Sequence, residues 1–201
     1  MLELLLSLIF ATFFWYLIFG LKAVNFWWGM TAATGLLAIW SICRAGDHRR
    51  RLFKFDLRQF LWGVISALAL YLIFWIGNFI STRILPSAAG QIAAVYANRA
   101  NLDSYKIALL LFFWIGPAEE IFWRGMVQRV LSNYFGKNAG WILGAIIYSA
   151  VHLWAANLML CAAALICGLF WGYLYKKFGT LWPGIISHAI WDLLIFLIFP
   201  L

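Results

Sequence analysis

Six ionisable residues stand inside apolar stretches of this 201-residue chain, and their types suit water activation. They are Glu119, Glu120 and Arg124 in GPAEEIFWRG, His152 in YSAVHLW, and His188 and Asp192 in SHAIWD. A charge at the depth of a bilayer core costs on the order of 3 kcal/mol or more, so each needs a partner, water or a task. Glu120 and Arg124 are i and i+4 on one helix face and form a natural charge-assisted pair. Glu119 points about 100° away, with Trp123 at i+4, and is left as the free carboxylate. His188 and Asp192 are likewise i and i+4, with Pro183 and Gly184 at the start of their helix and Asn157, Trp154 and Trp191 as candidate polar rims. A carboxylate beside imidazoles suits general-base hydrolysis: Glu119 takes a proton from water, a histidine shares or positions it, and further donors hold an oxyanion. Ser149 and Ser187 lie near the histidines but read as helix-packing hydroxyls. Either histidine alone reads equally well as an interhelical hydrogen-bond donor. Packing does not explain all six together, because each buried ionisable group adds its own desolvation cost.

The elements that position them are membrane helices. A crossing takes about 20 apolar residues, and seven such runs are present, at about 2–20, 23–43, 59–81, 107–132, 138–156, 158–175 and 181–199. The expected fold is an all-α polytopic membrane protein of six to eight spans, a single domain over 1–201 with its motif-bearing core at about 107–201. The fourth, fifth and seventh spans carry the ionisable set and should converge. At 1.5 Å per residue Glu119 and His152 lie roughly 21 Å from the turn around Lys137, Asp192 lies roughly 20 Å in and His188 roughly 14 Å. The polar stretch 81–106 reads as a connector, with an interfacial helix as the alternative.

Composition fixes the class. A chain with 66% hydrophobic and 11% charged residues lies outside the soluble range of about half apolar and a quarter charged. The net charge of +8 resides in short loops, where it sets topology and meets anionic headgroups, so no nucleic-acid partner is expected. The loop RAGDHRRRLFKFDLR holds six Lys and Arg, which places it and the N-terminus in the cytoplasm. Glu3 replaces a basic leader, so the first run reads as a retained span and not as a removed signal peptide. Cys43, Cys161 and Cys167 are odd in number and lack CxxC spacing, which leaves no disulfide or zinc framework.

EEIFWR fits an EExxxR pattern, YSAVH an aromatic-xxx-H pattern usually written FxxxH, and HAIWD an HxxxN/D pattern, in that order on successive helices. The chain thereby resembles the CPBP family (CAAX protease and bacteriocin-processing, also called Abi) of glutamic intramembrane endopeptidases, which includes the Rce1-type CAAX prenyl proteases. The resemblance spans Glu119 to Asp192. It implies catalysis by Glu119, His152, His188 and Asp192, with Glu120 and Arg124 in support: Glu119 and His152 activate water, while His188 and the residue four on hold the oxyanion. Two departures stand out. Tyr148 adds a hydroxyl near the site, and Asp192 stands where the prenyl proteases have Asn, so it either donates when protonated or orients His188. No cofactor is expected; Zn²⁺ is the alternative, since two histidines and two or three carboxylates are ligand types, although HExxH is absent. The depth of the site and the short chain suggest a bacterial inner-membrane enzyme of the myxosortase-like kind, processing C-terminal sorting anchors of exported proteins. A CAAX prenyl endopeptidase is the nearest alternative. A proton-coupled transporter, a b-type haem protein and a non-catalytic immunity or scaffold protein are alternatives of other classes.

Overall fold

The computed structural model describes residues 1–201, in helices and turns with no strand. In chain order the helices are α1 (Leu2–Gly20), α2 (Phe26–Cys43), the short α3 (His48–Leu52), α4 (Leu57–Ile84), α5 (Ala88–Tyr96), α6 (104–135), α7 (137–155), α8 (Leu158–Phe178) and α9 (Trp182–Ile198). Four of them, α1, α2, α4 and α8, are each long and apolar enough to cross a membrane. The other long runs, α6, α7 and α9, carry the ionisable set and complete seven helices.

Local chemistry sets their ends. Asn25 caps α2 by accepting from the backbone N–H groups of Trp27 and Trp28, Asp56 caps α4 through Arg58, and Asn157 caps α8 through Leu160. Gly136 at φ +85° separates α6 from α7, and Gly179 at φ +69° ends α8. Asn157 is therefore a helix cap and not a rim of the site. The connector reading of 81–106 is also corrected, because this stretch contains α5 and a 3-10 turn at Ala97–Asn101. A nine-residue helix is too short to persist alone, and tertiary bonds hold it. Gln91 receives Asn157 Nδ2 on its carbonyl at 2.8 Å and Met159 N–H on Oε1 at 3.0 Å.

The helix ends gather on two faces. On one face Arg44 meets Glu3 at 3.0 Å, the Met1 amine meets Tyr134 Oη at 3.2 Å, and Leu181 N–H meets Leu52 O at 2.9 Å. This face carries the six Lys and Arg of 44–58 together with Arg129, Lys137, Lys176 and Lys177. On the other, Trp27 Nε1 donates to Asn98 O at 2.9 Å and Leu201 N–H to Tyr96 Oη at 3.2 Å. Only Lys22, Arg83, Arg99 and Lys106 lie towards it. Such an asymmetry orients a membrane protein.

Only 58 of 201 residues are buried, and Leu, Ile, Phe and Trp side chains crowd the exposed surface, as suits a protein whose solvent is lipid. The largest core cluster runs from Leu4 to Leu174 and draws on both halves of the chain. Where α7 crosses α8 the backbones nearly touch: a Cβ on Gly168 would sit 3.0 Å from Ala145 Cα. Small residues permit this approach, and van der Waals contact drives helix association in lipid. Gly168→Val should therefore cost about 1–3 kcal/mol through overpacking, read as a lower melting temperature in detergent. Gly77→Ala, whose Cβ would face open space, should leave that temperature unchanged or slightly raised.

Candidate active site

The two adjacent carboxylates of α6 meet different environments. The helix widens into turns with i to i+5 hydrogen bonding on either side of them, at Leu111–Ile115 and Trp123–Gln128. Turns of this kind recur at functional sites because they change the register in which side chains leave the helix.

Glu120 lies at the centre of a buried ionic cluster. Its Oε1 accepts from Arg124 Nη1 at 2.8 Å, with both side chains at most 3% exposed, and sits 3.0 Å from His188 Nδ1. Arg124 Nη2 also donates to the carbonyls of Cys167 and Gly168 at 3.3 and 3.4 Å. The guanidinium lies 5.0 Å from the Tyr148 ring centre and 5.5 Å from that of Trp171, within cation–π range. Trp171 stacks on His188 with centroids 3.7 Å apart and planes at 18°, which fixes the imidazole plane. The far side of that ring faces Asp192, with Nε2 to Oδ2 at 3.6 Å. Gly184 makes room for Glu120, since a Cβ there would stand 2.7 Å from Glu120 Oε2.

Glu119 is buried but has no cationic partner. Its Oε2 accepts from the Tyr148 hydroxyl at 2.7 Å, and its Oε1 carries no hydrogen bond from the protein. Oε1 is also not among the fully enclosed unpartnered polar atoms, whereas Glu120 Oε2 and Asp192 Oδ2 are. An ionised carboxylate with one oxygen held by a neutral hydroxyl and the other available can receive a proton from water.

His152 belongs to a different set of contacts. Nδ1 lies 2.8 Å from the Tyr148 carbonyl, Nε2 lies 3.2 Å from Trp15 Nε1 on α1, and Phe19 and Tyr148 flank the ring edge-on. The fourth, fifth and seventh spans thus converge, but Glu119 is met from α7 by Tyr148 and His152 is linked to it only through that residue. Ser149 donates to the Cys161 carbonyl at 2.8 Å and Ser187 accepts from Trp171 Nε1 at 3.1 Å, both packing roles. Trp154 packs on Tyr16 and does not rim the site, whereas Trp191 meets Trp171 edge-on. Sequence reasoning missed Trp15, Trp171 and the α8 carbonyls. Among 13 tryptophans spacing did not mark Trp15 or Trp171, while the Tyr148 hydroxyl was marked by its departure from the motif.

These residues do not fit a bound Zn²⁺ as arranged. No group of three or more His, Cys, Asp or Glu side chains converges at ligand spacing, and the Nε2 lone pair of His152 is occupied by an indole N–H.

Residues 101–194 match the Rce1-like family, described as type II CAAX prenyl endopeptidase Rce1-like. This stretch is an Rce1-like domain. It holds all six ionisable residues, and the match supports a CAAX-type intramembrane endopeptidase in general. Comparison with curated proteins and with solved structures gave no match. Trp15 lies outside the Rce1-like domain, on α1.

Breaking the cluster from the cationic side leaves a buried carboxylate uncompensated. Arg124→Ala should cost about 3–5 kcal/mol and sharply reduce monodisperse protein in detergent size-exclusion chromatography. Arg124→Lys, which keeps the charge, should recover part of that loss.

Proposed function

We propose that the chain is a glutamic intramembrane endopeptidase in which Glu119 is the general base. The observation that carries this reading is the contrast between the adjacent carboxylates. Glu120 is neutralised by Arg124 and His188, while Glu119 keeps an oxygen without a protein partner. Water hydrogen-bonded to that oxygen gives up a proton as its own oxygen attacks the scissile carbonyl carbon. The tetrahedral intermediate collapses with cleavage of the C–N bond, and the departing amine takes the proton back from Glu119. His188, as imidazolium stacked on Trp171 and held at Nδ1–H by Glu120, donates Nε2–H to the developing oxyanion, and Asp192, 3.6 Å from Nε2, orients that imidazole or, when protonated, donates beside it. His152 supports the arrangement from the Tyr148 side.

The substrate reading is a membrane-anchored exported protein cut near the outer end of its anchor, in a bacterial inner membrane with the N-terminus in the cytoplasm. The basic face then lies inside. Tyr148, the partner of Glu119, is roughly 16 Å along α7 from that face and roughly 10 Å from the opposite end, which favours the outer half. A helical substrate has its carbonyls hydrogen-bonded, so Gly or Pro at the cut exposes the peptide. The Rce1-like match favours a second reading, a prenylated CAAX tail.

Co-expression with membrane-anchored exported proteins, and separately incubation with a prenylated CAAX peptide, distinguishes them by mass spectrometry of new termini. Glu119→Gln should fold like the wild type and generate no new termini. Full activity in that variant would overturn the assignment of the base. Cleavage of the prenylated tail alone would replace the sorting-anchor reading.

A further inference from the structure

The contacts of His152 leave its protonation no freedom. Its Nδ1 faces the Tyr148 carbonyl at 2.8 Å, and a carbonyl only accepts, so Nδ1 carries the hydrogen. Its Nε2 faces the indole nitrogen of Trp15 at 3.2 Å, and an indole N–H only donates, so Nε2 carries the lone pair. Both partners have a single role, and together they define one neutral tautomer. The Trp15 side chain is fully buried, its ring lies edge-on to His152 with centroids 6.0 Å apart, and Phe19 from the same helix closes a second side. Trp15 also meets Trp123 of α6 edge-on at 5.9 Å, so a single indole links the helix of Glu119 to that of His152.

We infer that α1 completes the active site of the Rce1-like domain: Trp15 is a positioning residue that holds His152 as a neutral imidazole with its hydrogen on Nδ1. In that state His152 does not take the proton of the attacking water, because its only lone pair is occupied. Its work is to fix, through the Tyr148 carbonyl and ring, the segment that presents the Tyr148 hydroxyl to Glu119. Proton acceptance then falls to Glu119 alone. The catalytic consequence rests on the peptidase reading, whereas the tautomer does not.

The test reads the two separately. Full-length protein labelled with ¹⁵N-histidine in detergent micelles or nanodiscs gives ring-nitrogen shifts that identify the tautomer, with His152→Gln supplying the assignment. The wild type should show a protonated Nδ1 and a hydrogen-bonded, unprotonated Nε2. Two variants remove the donor: Trp15→Phe, and replacement of Trp15 by 3-benzothienylalanine, which keeps the bicyclic shape, exchanges N–H for sulfur and guards against loss of folding. In either, the Nε2 signal should move to that of a free acceptor, and turnover should fall about tenfold with KM unchanged. A wild-type His152 protonated on Nε2, or an Nε2 signal unmoved in the benzothienyl protein, overturns the inference. A moved signal with unchanged turnover leaves the tautomer standing and rejects the positioning role. Tautomer and signal behaving as stated, in a wild type that cuts neither substrate class, points to failure of the peptidase reading and not of the contact.

Discussion

One carboxylate oxygen, Glu120 Oε1, accepts from both Arg124 and His188 inside an apolar bundle, and most of the surrounding structure follows from keeping it neutralised. In water such an arrangement is nearly free. Within lipid-facing helices each member carries a desolvation cost of several kcal/mol that only good geometry repays. That requirement explains why Arg124 reaches α8 carbonyls, why Trp171 lies flat on His188, and why position 184 has no side chain. It also separates two neighbouring glutamates by role. Glu120 and Arg124 together tie α6 to α8 and α9, while Glu119 remains without a counter-ion at 5% exposure.

The architecture supports this from outside the ionic cluster. The close contact of α7 with α8 at Gly168 adjoins the carbonyls of Cys167 and Gly168 that receive Arg124. The widened turns in α6 bracket Glu119 and Glu120, so the carboxylates lie on the least regular part of the most interior helix. Irregular backbone at membrane depth is tolerated where protein surrounds it, and the turn at Trp123–Gln128 is buried throughout.

Much of this was legible in the sequence, for physical reasons. Apolar runs of bilayer length give helices directly, and the seven long helices fall within a few residues of the hydropathy runs. The i, i+4 spacing of Glu120 and Arg124 specified their pairing, and the extra hydroxyl at Tyr148 was expected near the site, where it bonds Glu119. The sharing of Glu120 with His188 was not legible, because spacing within a helix says nothing about which neighbouring helix faces it. Helix α5 was ranked behind a plain connector, since a short polar segment is stabilised only by partners distant in sequence. Trp171 and Trp15 were hidden by abundance: in a membrane protein a tryptophan ordinarily reads as an interfacial anchor.

The Trp15–His152 contact joins residues 137 positions apart, and that separation has a consequence in time. Chains leave the ribosome at about 5–20 residues per second, so α1 enters the membrane on the order of 10 s before α7 exists. During that interval the indole N–H of Trp15 lacks the acceptor it has in the finished protein, and the pocket for His152 has only one wall. The ionic cluster of α6 closes later still, once α9 delivers His188. Biogenesis of this protein therefore ends at its candidate active site, and a chain halted before α9 carries the glutamates without the histidine that completes the contacts of Glu120.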